Sequence, residues 1–310
     1  MRLPKLSSID TLKWFAMVLI AGLVWEGCAV APVKLSVKDS DRQFAVDTIL
    51  STTSRQAVAY EEMLDDLAQV QVVLVGEVHT NAAHHDIQAR IIQALHARHP
   101  NLSVGMEMFD HRYDPVLARW SAGELDREAF IQKTHWYVSR AGWGFDFDLY
   151  APIFETVREN QVRLVGLNVP GWIPSKISRG GLDNLLPDER ALLADTIDTE
   201  NEAHRAYAEN IFNMHPHHGI ATFDYFYEAQ CAWEDTMAQS IVRKMGDAPM
   251  VVVIGNGHII RKFGVPDRVN TRNQATLRTV YLAAVGSEVD WDYADYIWVT
   301  PQAAGRPDSR

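Results

Sequence analysis

The chain is poor in cysteine: its 310 residues include only Cys28 and Cys231. Two cysteines exclude a disulfide scaffold and a Cys-rich zinc site. Positive charge is also scarce, with 29 Lys and Arg against 40 Asp and Glu, a net of −11. A sequence-independent hold on nucleic acid needs a basic surface, so that partner class is disfavoured. Phosphate-cradling glycine strings are missing: there is no G-x-x-x-x-G-K-[ST] and no G-x-G-x-x-G. The nearest string, Gly255-Asn256-Gly257-His258, lacks the third glycine and ends in histidine. What is present is 47% hydrophobic and 22% charged residues, enough for a sizeable core. Histidine (12) and tryptophan (9) are plentiful, and histidine is the commonest metal ligand and proton carrier.

The first residues read as an export signal. Arg2, Lys5 and Lys13 precede an apolar run from Trp14 to Trp25, close to a secretory core and too short for an easy membrane span. Two processing outcomes follow, beside the plainer reading of an uncleaved anchor. Gly27-Cys28 is a lipoprotein junction with lipid on Cys28, or Ala29-Val30-Ala31 is a cleavage site. In both cases Cys231 is left without an intrachain partner. Residues 1–31 are then the leader, 32–56 a polar linker, 57–300 the folded domain and 301–310 a tail.

Within the domain, short apolar runs at 72–75 (VVLV), 102–109 (LSVGMEMF), 162–167 (VRLVGL), 250–254 (MVVVI) and 280–285 (VYLAAV) lack alternation. Such runs fit strands covered on both faces, as in a parallel sheet. Between them the spacing predicts helices over 84–98, 152–160, 187–212 and 223–245. Strand alternating with helix argues an α/β fold with a mainly parallel central sheet flanked by helices. The helix-rich stretches 111–150 and 185–245 predict a smaller helical subdomain.

In open α/β sheets ligands bind beyond the carboxyl ends of the strands. Those ends carry Gly76-Glu77-Val78-His79, Glu107, Asn168 and Gly255-Asn256-Gly257-His258. Two G-x-x-H turns and a strand-end glutamate therefore converge on one rim. The glycines allow tight turns and leave room for a ligand. Taken singly, Glu77 as a helix cap, His79 on a loop carbonyl and Glu107 paired with arginine are equally good readings. Beside the rim, His84 and His85 open a helix, with Asn81 as its N-cap and Gln88 one turn past His84. His215, His217 and His218 surround Pro216 and are read either as metal or haem ligands or as a solvated loop. An aromatic segment runs from Trp136 and Tyr137 through Trp143, Phe145 and Phe147 to Tyr150. It is read as core or as the enclosure of a large flat ligand, with the Tyr150 phenolate able to ligate ferric iron.

Together these pieces resemble the ChaN-like haem-binding lipoproteins of the wider Tiki/erythromycin-esterase-like superfamily. The resemblance rests on VVLVGEVHTNAAHHDIQARII and on VGMEMF followed by Leu117, Trp120 and Gly123. It continues through Tyr150-Ala151-Pro152-Ile153, Gly166-Leu167-Asn168-Val169-Pro170, the Gln230, Trp233, Glu234, Met237, Ala238 helix and VVVIGNGHIIRKFGVPDR. It departs at Trp25-Glu26-Gly27-Cys28, a poor lipid-attachment motif. The resemblance implies an exported, membrane-anchored or periplasmic protein of haem or iron uptake or storage, working with envelope uptake components. It also implies that two copies can pair around haem with tyrosine on iron. Tyr150 lies in the motif segment, with Tyr137, Tyr225 and Tyr227 as alternatives and His84, His85 and the 215–218 histidines nearby in function. In metal-dependent hydrolases of the superfamily the corresponding positions carry chemistry. By that reading His79, Glu107 and His258 hold a divalent ion such as zinc, manganese or cobalt, and Glu77 activates its water.

Overall fold

Continuous runs of Val, Ile and Leu build the centre of the molecule, because strands buried on both faces need apolar side chains on both. The structure is a computed structural model that describes residues 32–138, 142–214 and 219–303. The leader 1–31 and His215, His217 and His218 lie outside the described residues. In chain order the strands are β1 (Leu35–Val37), β2 (Gln43–Phe44), β3 (Ile49–Ser51), β4 (Gln56–Val58), β5 (Val72–Glu77), β6 (Ser103–Asp110), β7 (Arg163–Asn168), β8 (Met250–Gly255), β9 (Leu277–Ala284), β10 (Glu288–Val289) and β11 (Tyr296–Thr300). The main sheet has the order β4-β3-β11-β9-β5-β8-β6-β7. Every pairing from β11 through β7 is parallel, and β3 and β4 add antiparallel at one edge. A second, three-stranded sheet joins β10, β1 and β2.

The five strands expected from apolar runs are present as β5, β6, β7, β8 and β9. The segment 32–56, expected as a linker, instead contributes four strand segments. Leu35, Val37, Ile49 and Leu50 are buried, and β3 closes the edge of β11 through Leu50 opposite Ile297. Its strands are too short to show a period, and the neighbours that anchor β1 and β3, β10 and β11, lie more than two hundred residues away.

The helices are α1 (Tyr60–Leu67), α2 (Ala82–Arg98), α3 (Asp114–Ser121), α4 (Arg127–Lys133), α5 (Phe147–Glu159), α6 (Trp172–Gly180), α7 (Pro187–Arg190), α8 (Glu202–Met214), α9 (Phe223–Lys244) and α10 (Val265–Asn273). Asn81 caps α2 by accepting the Ala83 N–H at 3.1 Å. One sheet face packs on α1, α2 and α3 to α5 through residues such as Val73, Val75, Ile91, Trp120 and Phe154. The other packs on α9 and α10 through Leu74, Val252, Met237, Ile241 and Val269. The smaller helical part is α6 to α9, with its own cluster of Ile173, Ile177, Leu193, Ala229 and Ala232. The stretch 111–150 joins the main core instead.

The helix expected over 187–212 is broken between α7 and α8. Side chains of α9 and α10 satisfy the backbone of the break: Arg268 donates to the Asp198 carbonyl, Arg272 donates to the Thr196 carbonyl, and Asp235 accepts the Asp198 N–H. An extended segment held by buried charges replaces a helix there.

Candidate functional site

Parallel pairing brings the strand ends together. Glu77 lies directly opposite Gly255 across β5 and β8, and Glu107 comes from β6 on the far side of β8. Glu107 Oε2 accepts the Gly255 N–H at 2.7 Å. The glycines allow close approach. A Cβ on Gly255 would lie 3.1 Å from His79 Cε1, and one on Gly76 would lie 2.1 Å from Asn256 Oδ1. Side chains of the rim itself approach closely where these glycines have none, and Gly255 also lines a cavity.

Two buried networks result. In the first, Glu77 Oε1 meets His79 Nδ1 at 2.7 Å and accepts the Tyr150 hydroxyl at 2.8 Å. Its Oε2 is 2.9 Å from His85 Nε2, without the alignment of a hydrogen bond. Trp143 Nε1 donates to the Tyr150 oxygen at 3.0 Å, and the His79 ring packs edge-on to Trp143 with centroids 4.8 Å apart. Burial opposes the charge on Glu77, but the hydrogen bond from His79 and the close imidazole of His85 outweigh it and bring the carboxyl down to about 2. The same carboxylate, against the cost of burial, lifts His79 above its usual value.

In the second network, His258 lies between Glu107 (Nε2 to Oε1, 3.4 Å) and Glu234 of α9 (Nδ1 to Oε1, 3.0 Å). Burial disfavours its charge, yet Glu107 and Glu234 outweigh that and raise it to about 10. Glu234 is further held by His204 at 3.2 Å and by Gln230, whose amide donates at 2.7 Å. Arg268 backs it at 3.8 Å. Both imidazole nitrogens of His258 are thus engaged by carboxylates, and it acts as a buried cation joining two acids.

Cavities lie on either side of this rim. The first, about 520 Å³, has Glu107, Met108, Asp110, Tyr113, Trp143, Trp172, Lys176, Arg179 and Trp233 in its wall. The second, about 350 Å³, opens beside Glu77, His79 and His258 and has an apolar side of Tyr207, Ile211 and Phe226. Volumes in this range suit small-molecule ligands. Among the described residues, no group of three or more His, Cys, Asp and Glu has the arrangement to hold a metal ion.

The structure therefore brings Glu77, His79, Glu107 and His258 together as the sequence implied, with Asn168 and Asn256 beside them. Asn168 donates to the Glu107 carbonyl and Asn256 to the Leu282 carbonyl. Other expected residues have different surroundings. His84 is fully buried. Its Nδ1 accepts the Val78 N–H at 2.9 Å, so Nε2 carries the proton toward Thr300 Oγ1. Burial lowers it to about 4 and keeps it neutral. His85 is fully buried against the Tyr150 ring. Tyr150 is 0% exposed and lines neither cavity. Burial and then Glu77 hold its phenol far above the usual value, and its hydroxyl donates to Glu77. Tyr227 is also buried, and the Tyr137 hydroxyl accepts the Phe147 N–H. Tyr225 packs at the α6 to α7 turn and in a separate surface hollow.

Sequence reading missed Tyr113, Trp172, Lys176, Arg179 and Trp233 of the larger cleft. One signal was available: Trp172, Lys176 and Arg179 stand four and three residues apart, on one side of a helix.

The family model described as haem-binding uptake, Tiki superfamily, ChaN matches residues 63–269. Among solved structures, ChaN of Campylobacter jejuni, described with cofacial haem, is 21% identical and has a TM-score of 0.66. That match covers 81% of this chain and 95% of the other, and it shows the fold. An erythromycin esterase, EreC, is 14% identical over 77% of each chain with a TM-score of 0.46. The type III effector HopBA1 is 9% identical over 77% of this chain and 91% of its own, with a TM-score of 0.44. These two likenesses are too distant to carry an argument. No curated protein matches the chain. The chain belongs to the haem-binding uptake family typified by ChaN, in the Tiki superfamily.

Proposed function

We propose that the protein binds haem in the larger cleft and serves haem or iron uptake or storage at the cell envelope. Family membership supports haem as the ligand. The observation that supports this cleft is its wall, where Trp143, Trp172, Trp233 and Met108 surround about 520 Å³. Flat apolar rings stack well on indoles. Trp233 Nε1 is a buried donor with no partner, the kind of group a bound ligand satisfies.

Tyr113 is the tyrosine of this cleft. Its oxygen, as phenolate, is a hard anionic ligand suited to ferric iron. Burial and then the Asp110 carboxylate raise its phenol above the usual value, so binding iron there releases a proton. Haem so held supplies a ferric centre for storage or transfer. The expected result of adding haemin is a saturable Soret band that Tyr113→Phe shifts and Tyr150→Phe leaves in place. A band moved by Tyr150→Phe alone would return the iron to Tyr150.

Export rests on the basic and apolar leader, with lipid on Cys28 or cleavage after Ala31. Radiolabelled palmitate in the wild type and none in Cys28→Ser distinguishes the two. Pairing of two copies around haem is part of the same reading, and a doubling of mass on haemin addition tests it.

A second reading, hydrolysis of a peptide, ester or phosphoester, is supported by one observation. Glu77 accepts a hydrogen bond from the Nδ1–H of His79, leaving Nε2 as the basic nitrogen beside the 350 Å³ cavity. Turnover of a nitrophenyl ester that His79→Ala abolishes is its expected result. No turnover, with or without added zinc, manganese or cobalt, removes it.

A further inference from the structure

The outer face of α6 is built like a ruler. Ile173 and Ile177 are buried beneath it, which turns Trp172, Lys176 and Arg179 to the cleft. Trp172 is 38% exposed, a large indole with one side uncovered. A helix rises 1.5 Å per residue, so the two cations lie about 6 Å and about 10 Å along the axis from the indole.

Charge in the cleft is also uneven. Its carboxylates are already neutralised: Glu107 by His258 and the Gly255 N–H, and Asp110 by Arg112, which donates through two nitrogens at 2.8 Å each. Lys176 is shared with Glu189 at 2.5 Å. Arg179 is exposed and makes no ion pair among the described residues. The cleft wall therefore combines indoles with two cations, one of them without an ion pair among the described residues, on a protein whose net charge is −11.

We propose that this face selects flat macrocycles by their free carboxylates, Trp172 taking the ring and Arg179, seconded by Lys176, the acid groups. Arginine suits the task because its planar fork binds a carboxylate through two hydrogen bonds. The proposal rests on the haem reading above and adds to it which chemical form of the ligand is accepted: the dicarboxylic acid over its ester.

The test titrates the full chain with haemin and with haemin dimethyl ester in the same detergent, following the Soret band and tryptophan quenching. The expected result is that the ester binds about tenfold more weakly, the size of one or two partly exposed ion pairs. Arg179→Glu weakens haemin roughly three- to tenfold and leaves the ester unchanged, and Lys176→Ala has a smaller effect in the same direction. Circular dichroism of both variants matches the wild type, because neither residue is buried. Equal binding of acid and ester, or equal loss of both in Arg179→Glu, overturns carboxylate selection while the haem reading stands. Binding of neither ligand overturns both.

Discussion

Tyr150 and His258 show how single side chains divide structural from ligand-binding work. Tyr150 donates to Glu77 and accepts from Trp143. Its change to phenylalanine leaves both partners short of a bond, at a cost of about 1–3 kcal/mol in urea unfolding. A loss well below that would mean that Glu77 has another donor. For His258 the sign follows from the raised value. The folded protein favours the imidazolium, so its contribution is complete below the ordinary 6.5 and is lost as pH rises through about 10. Wild-type stability should fall across that alkaline range. His258→Gln should lower stability by about 3–5 kcal/mol near neutrality, because Glu107 and Glu234 lose their shared cation, and should flatten the alkaline limb. Glu77 acts in the opposite sense: its contribution is present above about 4.5 and is lost as pH falls toward about 2. An alkaline limb identical in wild type and variant would show that His258 is neutral in the fold. The convergence of Glu77, His79, Glu107 and His258 was legible in the sequence because strand ends of a parallel sheet share one side. That Glu234 and Gln230 of α9 would close over them was not, since helix spacing alone does not say which residue of a long helix meets a distant turn.

At the scale of elements, uninterrupted apolar character marked β5 to β9 correctly. The edge pair β3 and β4 escaped notice because three-residue strands carry no period and borrow their burial from β11. Leu50 is 0% exposed, and Leu50→Ala should cost about 2–4 kcal/mol through the cavity it leaves. A loss under 1 kcal/mol would mean that the segment is dispensable after all. The 111–150 stretch misled for a related reason. Aromatic density there reads equally as a ligand enclosure and as core, and the structure divides it. Trp136, Phe147 and Tyr150 are buried in the main core, while Trp143 reaches the cleft wall. The break between α7 and α8 was invisible because the side chains that hold it, Asp235, Arg268 and Arg272, come from α9 and α10.

For the molecule as a whole, the sheet sets two cavities on either side of one charged rim. The acids and imidazoles of the rim pair largely with one another, which fixes the strand ends. Family membership supports haem as the ligand, and the proposed site is the larger cleft, whose wall includes indoles and two cations on α6. The most direct measurement is a haemin titration of the wild type beside Trp172→Ala. A saturable Soret band in the wild type, with affinity reduced roughly tenfold or more in the variant, is the predicted result, the scale of losing an aromatic anchor. Haem binding untouched by the loss of this indole would place the ligand elsewhere on the molecule and contradict the assignment of the cleft.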